Sequence, residues 1–226
     1  PTLATLIERL LVETTSLRIR ISSIEPQDLR PEWFSLWNDR RVCRHLHLPL
    51  QSGSDAILTA MRRHYDLERY ERLVEAARAA IVELAVTTDL LVGFPGENED
   101  RFAETTAFVE RLDFAGMHVF RYSARPGTPA ARMSDQIPEQ LKTARSERIR
   151  AIAESGRTAF HHRFVGTTQD VLWERAADGV WHGLTDNYLH AYTETPEQLH
   201  NRLLPSRLLK HHYQGLWAEV DCGGEN

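Results

Sequence analysis

The amino-acid sequence predicts an α/β fold: the later part of a parallel (β/α) barrel over residues 1–164, followed by a small all-β domain over 165–226. Three observations lead there. Apolar strand-like runs alternate with helical patterns of about 10–15 residues, as in βαβ units. Each run stops at a cluster of polar and glycine residues, the corner where such folds place ligands. After Gly166, helical periodicity gives way to short β-prone pieces separated by turn signals.

Taken in order, Leu3, Leu6, Ile7, Leu10 and Leu11 recur as on one helix face. Leu17–Ile21 alternates as a strand and ends in Ser22-Ser23-Ile24-Glu25-Pro26. As a barrel edge it would invite pairing with another chain, so it is expected to be covered or protected by Arg18 and Arg20. Pro31 suits the first turn of a helix carrying Trp33, Phe34 and Trp37. Val42–Leu50 reads as the next strand, broken by Pro49 and Gln51-Ser52-Gly53-Ser54-Asp55. Ser54 or Asp55 then caps a helix with Ile57, Leu58 and Met61 on one side.

A long amphipathic helix from Leu67 to Leu84 leads to the buried-strand run Val86–Val92, which stops at Gly93-Phe94-Pro95-Gly96-Glu97. Asn98 caps the following helix, with Glu99 and Asp100 favourable at its positive end. A last strand, Met117–Tyr122, opens into the loop 123–129, and a helix from Pro138 reaches about Phe164. The β-prone pieces beyond are 169–175, 180–181, 188–193 and 216–220.

Composition bounds the function. With 42% hydrophobic and 26% charged residues the chain is globular in type, and no apolar run approaches the roughly 20 residues that span a bilayer. Neither a membrane partner nor a leader is predicted, and the cytoplasm is the expected compartment. Cys43 and Cys222 lie too far apart to suggest a disulfide framework. The chain opens without Met and already in helical rhythm, and so reads as a piece of a longer protein. The net charge of −5 comes from residues 164–226, with four basic against nine acidic groups, an unusual balance for a nucleic-acid surface.

The strand ends hold Ser22, Ser23 and Glu25, then Gln51 and Ser52, then Gly93, Phe94 and Glu97, then Tyr122, Ser123 and Arg125. Such a set suits a polar cofactor with an adenine ring and contains no nucleophile–base pair, so the hard chemistry falls to the cofactor. His45 and His47 share a strand face without an evident third metal ligand, and His161-His162 and His211-His212 are adjacent pairs that turn to different faces. Asp89, in a buried run, reads as a carboxylate hydrogen-bonded at a strand start.

The wording of these segments is specific. His47-Leu48-Pro49-Leu50-Gln51-Ser52-Gly53-Ser54-Asp55, Ser22 to Pro26, Asp89 through Glu97, and Phe120-x-Tyr122-Ser123-x-Arg125-x-Gly127-Thr128-x-Ala130 resemble the radical S-adenosylmethionine methylthiotransferases. Phe164-x-Gly166, Val171-Leu172-x-Glu174 and Gly183-Leu184-Thr185-Asp186-Asn187-Tyr188 resemble that family's TRAM domain, a small RNA-binding β-barrel. The resemblance implies a partial radical-SAM barrel lacking its first strands, followed by a TRAM-like domain.

It also implies S-adenosylmethionine and 4Fe–4S clusters as cofactors, and tRNA and a missing N-terminal domain of the same polypeptide as partners. Ser22-Ser23-Ile24-Glu25-Pro26-Gln27-Asp28-Leu29 and Gly183 to Tyr188 lean toward the branch that adds a methylthio group at C2 of N6-threonylcarbamoyladenosine beside the anticodon. Carried onto matching positions, Glu25, Gln51, Ser52 and Arg63 would hold the polar parts of S-adenosylmethionine. Gly93, Phe94 and Tyr122 would flank its adenine and ribose, and Arg125, Arg145, Arg148 and Arg163 would contact phosphates. The family's cluster loop, C-x-x-x-C-x-x-C, does not occur in this sequence, so the chain alone is expected to be inactive. Three other readings stay open: action on isopentenyl-adenosine in tRNA, action on a ribosomal-protein aspartate, and a non-catalytic RNA-binding module.

Overall fold

The computed structural model describes residues 2–15 and 18–221. Leu17 and Cys222, both used above, lie outside the described residues. The chain divides into two compact units. One, the sheet unit, comprises Ile21–Ser35 and Leu46–Arg157; the other, the barrel unit, takes the residues up to Arg20, Leu36–His45 and everything from Thr158 on.

The sheet unit is built on three parallel strands in the order β1 (His45–His47), β2 (Ala85–Val92), β3 (Gly116–Arg121). Leu46, Leu48, Leu50, Val86, Leu90 and Val92 are completely buried, which explains why these runs read as continuous rather than alternating. β1 is shorter than the expected Val42–Leu50 strand, yet Leu48 N–H and Gln51 N–H still donate to Thr87 and Asp89 carbonyls of β2, each at 2.9 Å. Thr88 stitches the same seam from its side chain, donating to Leu48 O at 2.7 Å and accepting from Leu50 N–H at 2.9 Å.

The helices between them follow the capping logic in two cases of three. The Asp66 side chain accepts from Arg69 N–H and opens α3 (Leu67–Ala80), and Asn98 accepts from Arg101 N–H at 3.0 Å and opens α4 (Glu99–Leu112). Short α2 (Asp55–Ala60) is the exception: Ser54 makes no side-chain cap bond. Its hydroxyl donates to Glu104, while Asp55 accepts from Leu67 N–H at 2.8 Å, so both residues tie α2 to neighbouring helices instead. Pro31–Asn38 forms a 3₁₀ helix, and α5 (Glu139–His162) follows the loop after β3.

In the barrel unit, α1 (Leu3–Glu13) is capped by Thr2. The strand expected at Leu17–Ile21 reduces to an isolated parallel bridge between Ile19 and Val42. Arg18 does not face solvent there. Its guanidinium donates to the Leu184 and Asp170 carbonyls, at 2.7 and 2.5 Å.

Five strands close into a barrel: β4 (Thr168–Ala177), β5 (Val180–Thr185), β6 (His190–Thr193), β7 (Arg202–His212) and β8 (Gly215–Val220), in the order β4-β5-β6-β8-β7. Its centre is Val171, Trp173, Ala191, Leu208 and Leu216, all essentially without exposure. The β4–β5 hairpin turns at Asp178-Gly179, both with positive φ, as a two-residue turn of the primed type requires. β7 was not expected. Its sequence R-L-L-P-S-R-L-L-K-H-H lacks clean alternation and holds Pro205, which nonetheless pairs in register with Asp170.

Candidate functional site

The expected cofactor residues fall into two groups: Glu25, Gln51 and Arg63, from the segment before the 3₁₀ helix, the loop after β1 and the turn after α2, and Gly93, Phe94 and Tyr122, at the ends of β2 and β3. In the first, the segment after Ile24 is anchored by Ile24 N–H donating to His47 O at 3.1 Å, and it delivers Glu25 opposite Arg63. The nearest approach of guanidinium to carboxylate is 3.4 Å, with both side chains partly exposed, a loose pair. Gln51 extends the sheet by bridging to Leu90 with φ +68, so its side chain leaves the strand at the point where the chain turns toward α2. Tyr65 braces this corner. Its hydroxyl donates to the Pro49 and Leu50 carbonyls at 2.9 and 3.1 Å, and burial pushes its pKa up to about 12, so it stays a donor at any physiological pH.

The second group is apolar. Phe94 and Tyr122 meet edge to face at 5.4 Å, packed with Ile57, and Met61, Leu91, Ala130 and Met133 lie against them. Tyr122 N–H donates to Val92 O at 2.9 Å, which sets the ring at the end of β3. Its hydroxyl is buried and has no hydrogen-bond partner among the described residues. A buried orphan hydroxyl against an aromatic edge is the kind of place that a purine or ribose completes.

Gly93 has a different reason for being glycine than close approach of a ligand. Its φ is +75, and a Cβ there would sit 2.3 Å from Cγ of Lys142, so the space belongs to the lysine stem. Lys142, buried and ion-paired with Glu139 at 2.7 Å, holds its ammonium 5.3 Å from the Tyr122 ring.

Two expected residues do not face a ligand. Ser52 is fully buried, accepting from Ser54 N–H at 3.3 Å and lying 3.4 Å from the Thr105 hydroxyl on α4. Arg145 is only 3% exposed and donates to the Glu97 carbonyl at 2.6 Å and to its carboxylate at 3.0 Å. Arg145 therefore belongs to the fold and offers nothing to a phosphate. Burial pushes the Glu97 carboxyl up, opposed by Gly93 N–H and by Arg145 itself. Arg125, Arg148 and Arg163 are exposed, and Arg163 lies over the Phe160 ring at 5.3 Å.

An open groove of about 880 Å³ lies elsewhere in the sheet unit, between the 26–32 segment and α3, and none of the expected cofactor residues lines it. The strand ends are nonetheless taken as the candidate, because Arg63 and Glu25 offer loose charge there and Tyr122 and Phe94 offer an orphan hydroxyl and an aromatic edge.

The histidines sort differently from the sequence reading. His45 does not act with His47; it stacks on Tyr188 at 4.4 Å in the barrel unit. His47 instead faces Asp89, which is not only a structural acceptor, and His118 of β3 joins them. His118 was missed because only the strand register, Asp89 opposite His118, brings it there.

A family profile described as "Radical SAM superfamily" matches residues 1–109, which contain Glu25, Gln51, Ser52, Arg63, Gly93 and Phe94 but not Tyr122. The chain is 36% identical over 202 residues to the threonylcarbamoyladenosine tRNA methylthiotransferase MtaB of Bacillus subtilis, covering 87% of this chain and 45% of that protein. It is 45% identical over 156 residues to the tRNA-2-methylthio-N(6)-dimethylallyladenosine synthase of Salinispora arenicola, covering 69% and 31%. The chain thus spans less than half the length of these relatives. Among solved structures, coproporphyrinogen III oxidase from Escherichia coli, a radical SAM enzyme, superposes with a TM-score of 0.56 at 17% identity, over 81% of this chain and 50% of that one. That likeness supports the α/β radical SAM-like fold.

Proposed function

We propose that the chain, whose relatives are radical SAM tRNA methylthiotransferases, is the adenosyl-binding and RNA-facing portion of a tRNA-modifying enzyme that adds a methylthio group at C2 of N6-threonylcarbamoyladenosine. The observation that carries the adenosyl part is the orphan Tyr122 hydroxyl, buried against Phe94 at the end of parallel strands. The choice of nucleoside rests on the MtaB relative, which is matched along 87% of this chain.

S-adenosylmethionine, when bound, supplies the radical chemistry of the family. The residues of this chain supply its seat. Arg63, only 3.4 Å from Glu25 and loosely paired with it, would hold the methionyl carboxylate, and Glu25 would hold the ammonium. Beside Phe94 and Ile57, Tyr122 would donate its unused hydrogen bond to the adenosyl group. Iron–sulfur clusters are the family's other cofactor, and here the residues do not fit one: Cys43 is buried, and no C-x-x-x-C-x-x-C loop occurs in the sequence. No step is assigned to a cluster on this chain.

The closed barrel is read as the TRAM-like RNA-binding domain. Its acidity argues against phosphate-dominated binding, but rings cluster on it, and the exposed one, Tyr213, can stack on an unpaired base. His182 meets Tyr192 at 4.9 Å, Tyr192 meets His212 at 5.1 Å, and His212 meets Trp217 at 4.8 Å; Tyr213, 86% exposed, joins the end.

The test is complementation with the full-length protein. In strains lacking one or the other methylthiolation, nucleoside mass spectrometry of bulk tRNA is expected to recover the methylthio form of threonylcarbamoyladenosine. Recovery of the dimethylallyl product instead, or of neither, overturns the assignment.

A further inference from the structure

β1, β2 and β3 each contribute one side chain to a cluster that the adenosyl reading does not use: His47, Asp89 and His118. Asp89 and His118 are partners in the parallel register of β2 and β3. Nε2 of His47 lies 3.3 Å from an Asp89 carboxylate oxygen, and ligating atoms of all three residues lie within 4.8 Å of one another.

We infer that His47, Asp89 and His118 form a binding site for a divalent first-row transition-metal ion, with two imidazoles and one carboxylate on a single side and the remaining coordination positions open. The donor set decides the class. Imidazole with a carboxylate suits zinc, iron(II), cobalt or nickel, whereas magnesium and calcium take oxygen shells that this cluster cannot supply.

The geometry agrees with the donors. Two ligands each about 2.1 Å from an ion at the tetrahedral angle stand about 3.4 Å apart, and His47 and Asp89 already do so to within 0.1 Å, at 3.3 Å. The remaining closure falls to His118, which is exposed and therefore has room to swing. His47 is already oriented as a ligand. Its Nδ1 is engaged by the Thr87 hydroxyl at 2.9 Å, which leaves Nε2 toward the ion. A plain histidine–aspartate ion pair would account for His47 and Asp89. It would give no reason for a second imidazole, its ring 5.9 Å from that of His47, to share the same register.

The site is tested on the chelator-treated 226-residue chain with cobalt(II) and zinc(II) as probes. Titration with cobalt(II) is expected to produce saturable visible bands at one equivalent, and zinc(II) is expected to displace them. His118→Ala, at an exposed position, and the isosteric Asp89→Asn are each expected to weaken binding by at least about tenfold, the loss seen when even an orienting partner of a ligand is removed. His64→Ala, an exposed histidine outside the cluster, is expected to leave the titration unchanged. Absence of a saturable band overturns the site. So does binding that survives His118→Ala and Asp89→Asn undiminished, since the ion would then be held by other histidines. Neither result bears on the complementation experiment, which reads nucleoside choice.

Discussion

The loop that closes β2 and the loop that closes β5 are both held by buried polar groups, but they place their charge differently. At Gly93–Glu97 the charge is inside. The Glu97 carboxylate is without exposure, accepts from Gly93 N–H at 2.7 Å and meets Arg145, itself 3% exposed. At Gly183–Tyr188 the buried side chains are neutral, and the cations Arg18 and Arg20 reach in only to the Leu184 and Thr185 carbonyls. The Thr185 hydroxyl donates to Asn187 Oδ1 at 2.6 Å and accepts from Leu189 N–H at 2.9 Å, with both side chains fully buried. The charged member, Asp186, sits at the partly open rim and pairs with Arg44 at 2.6 Å. An enclosed ion pair has repaid its desolvation only while both partners remain, whereas a neutral network loses only what each hydrogen bond contributes. The first loop is therefore the more brittle of the two.

The sharpest way to break that contrast is Arg145→Met. It strands the Glu97 carboxylate, and a loss of about 3–5 kcal/mol in urea unfolding is expected. Adding Glu97→Gln is expected to return most of it. The pH dependence has a definite sign. Burial already holds the Glu97 pKa above its ordinary value, and removing the arginine raises it further. A carboxyl that keeps its proton longer in the folded state loses stability as pH rises from the unfolded value, about 4.3, through the folded one. The deficit of Arg145→Met should therefore shrink in acid. A loss below about 1 kcal/mol, or one independent of pH, would show that the enclosed charge is not what holds the loop.

Thr185→Val probes the other loop. It removes one donor and one acceptor from a buried neutral network and should cost about 1–3 kcal/mol. Its unfolding difference from the parent should stay flat with pH, because no charge is exposed or stranded. An effect as large as that of Arg145→Met would erase the distinction between the loops.

The two loops were also unequally legible in the sequence. Helix α3 could be read from its apolar face, and α4 from Asn98 and its apolar face, because capping and periodicity are local signals. The fully buried runs around Leu48 and Leu90 read as strands because parallel sheets bury both faces. Tertiary pairing is not local, and there the reading failed. Arg145 looked like a phosphate ligand because nothing in its own segment announces Glu97, 48 residues earlier. Ser52 looked like a cofactor ligand until α4 covered it with Thr105. His118 is invisible without the register to Asp89, and β7 was hidden by Pro205 and its adjacent leucine pairs, which break the alternation. The strand ends themselves follow from topology, which alternation reveals; the orientation of each side chain there comes from packing, which it does not.

The smallest expected effect is also the one that isolates the rim from the interior. Arg44→Ala removes one of the cations facing Asp186, but Arg18 remains nearby and the two side chains keep 25% and 18% exposure, so part of the lost attraction is compensated. About 0.2–1 kcal/mol is expected, falling further as salt is raised, since exposed pairs are screened over roughly 10 Å at 0.1 M. The Thr185–Asn187 network beneath should keep its amides protected from hydrogen exchange in this variant. If Leu189 N–H instead exchanges as fast in Arg44→Ala as in Thr185→Val, the rim charge governs the neutral interior. The β5 loop would then be held by charge, as the β2 loop is.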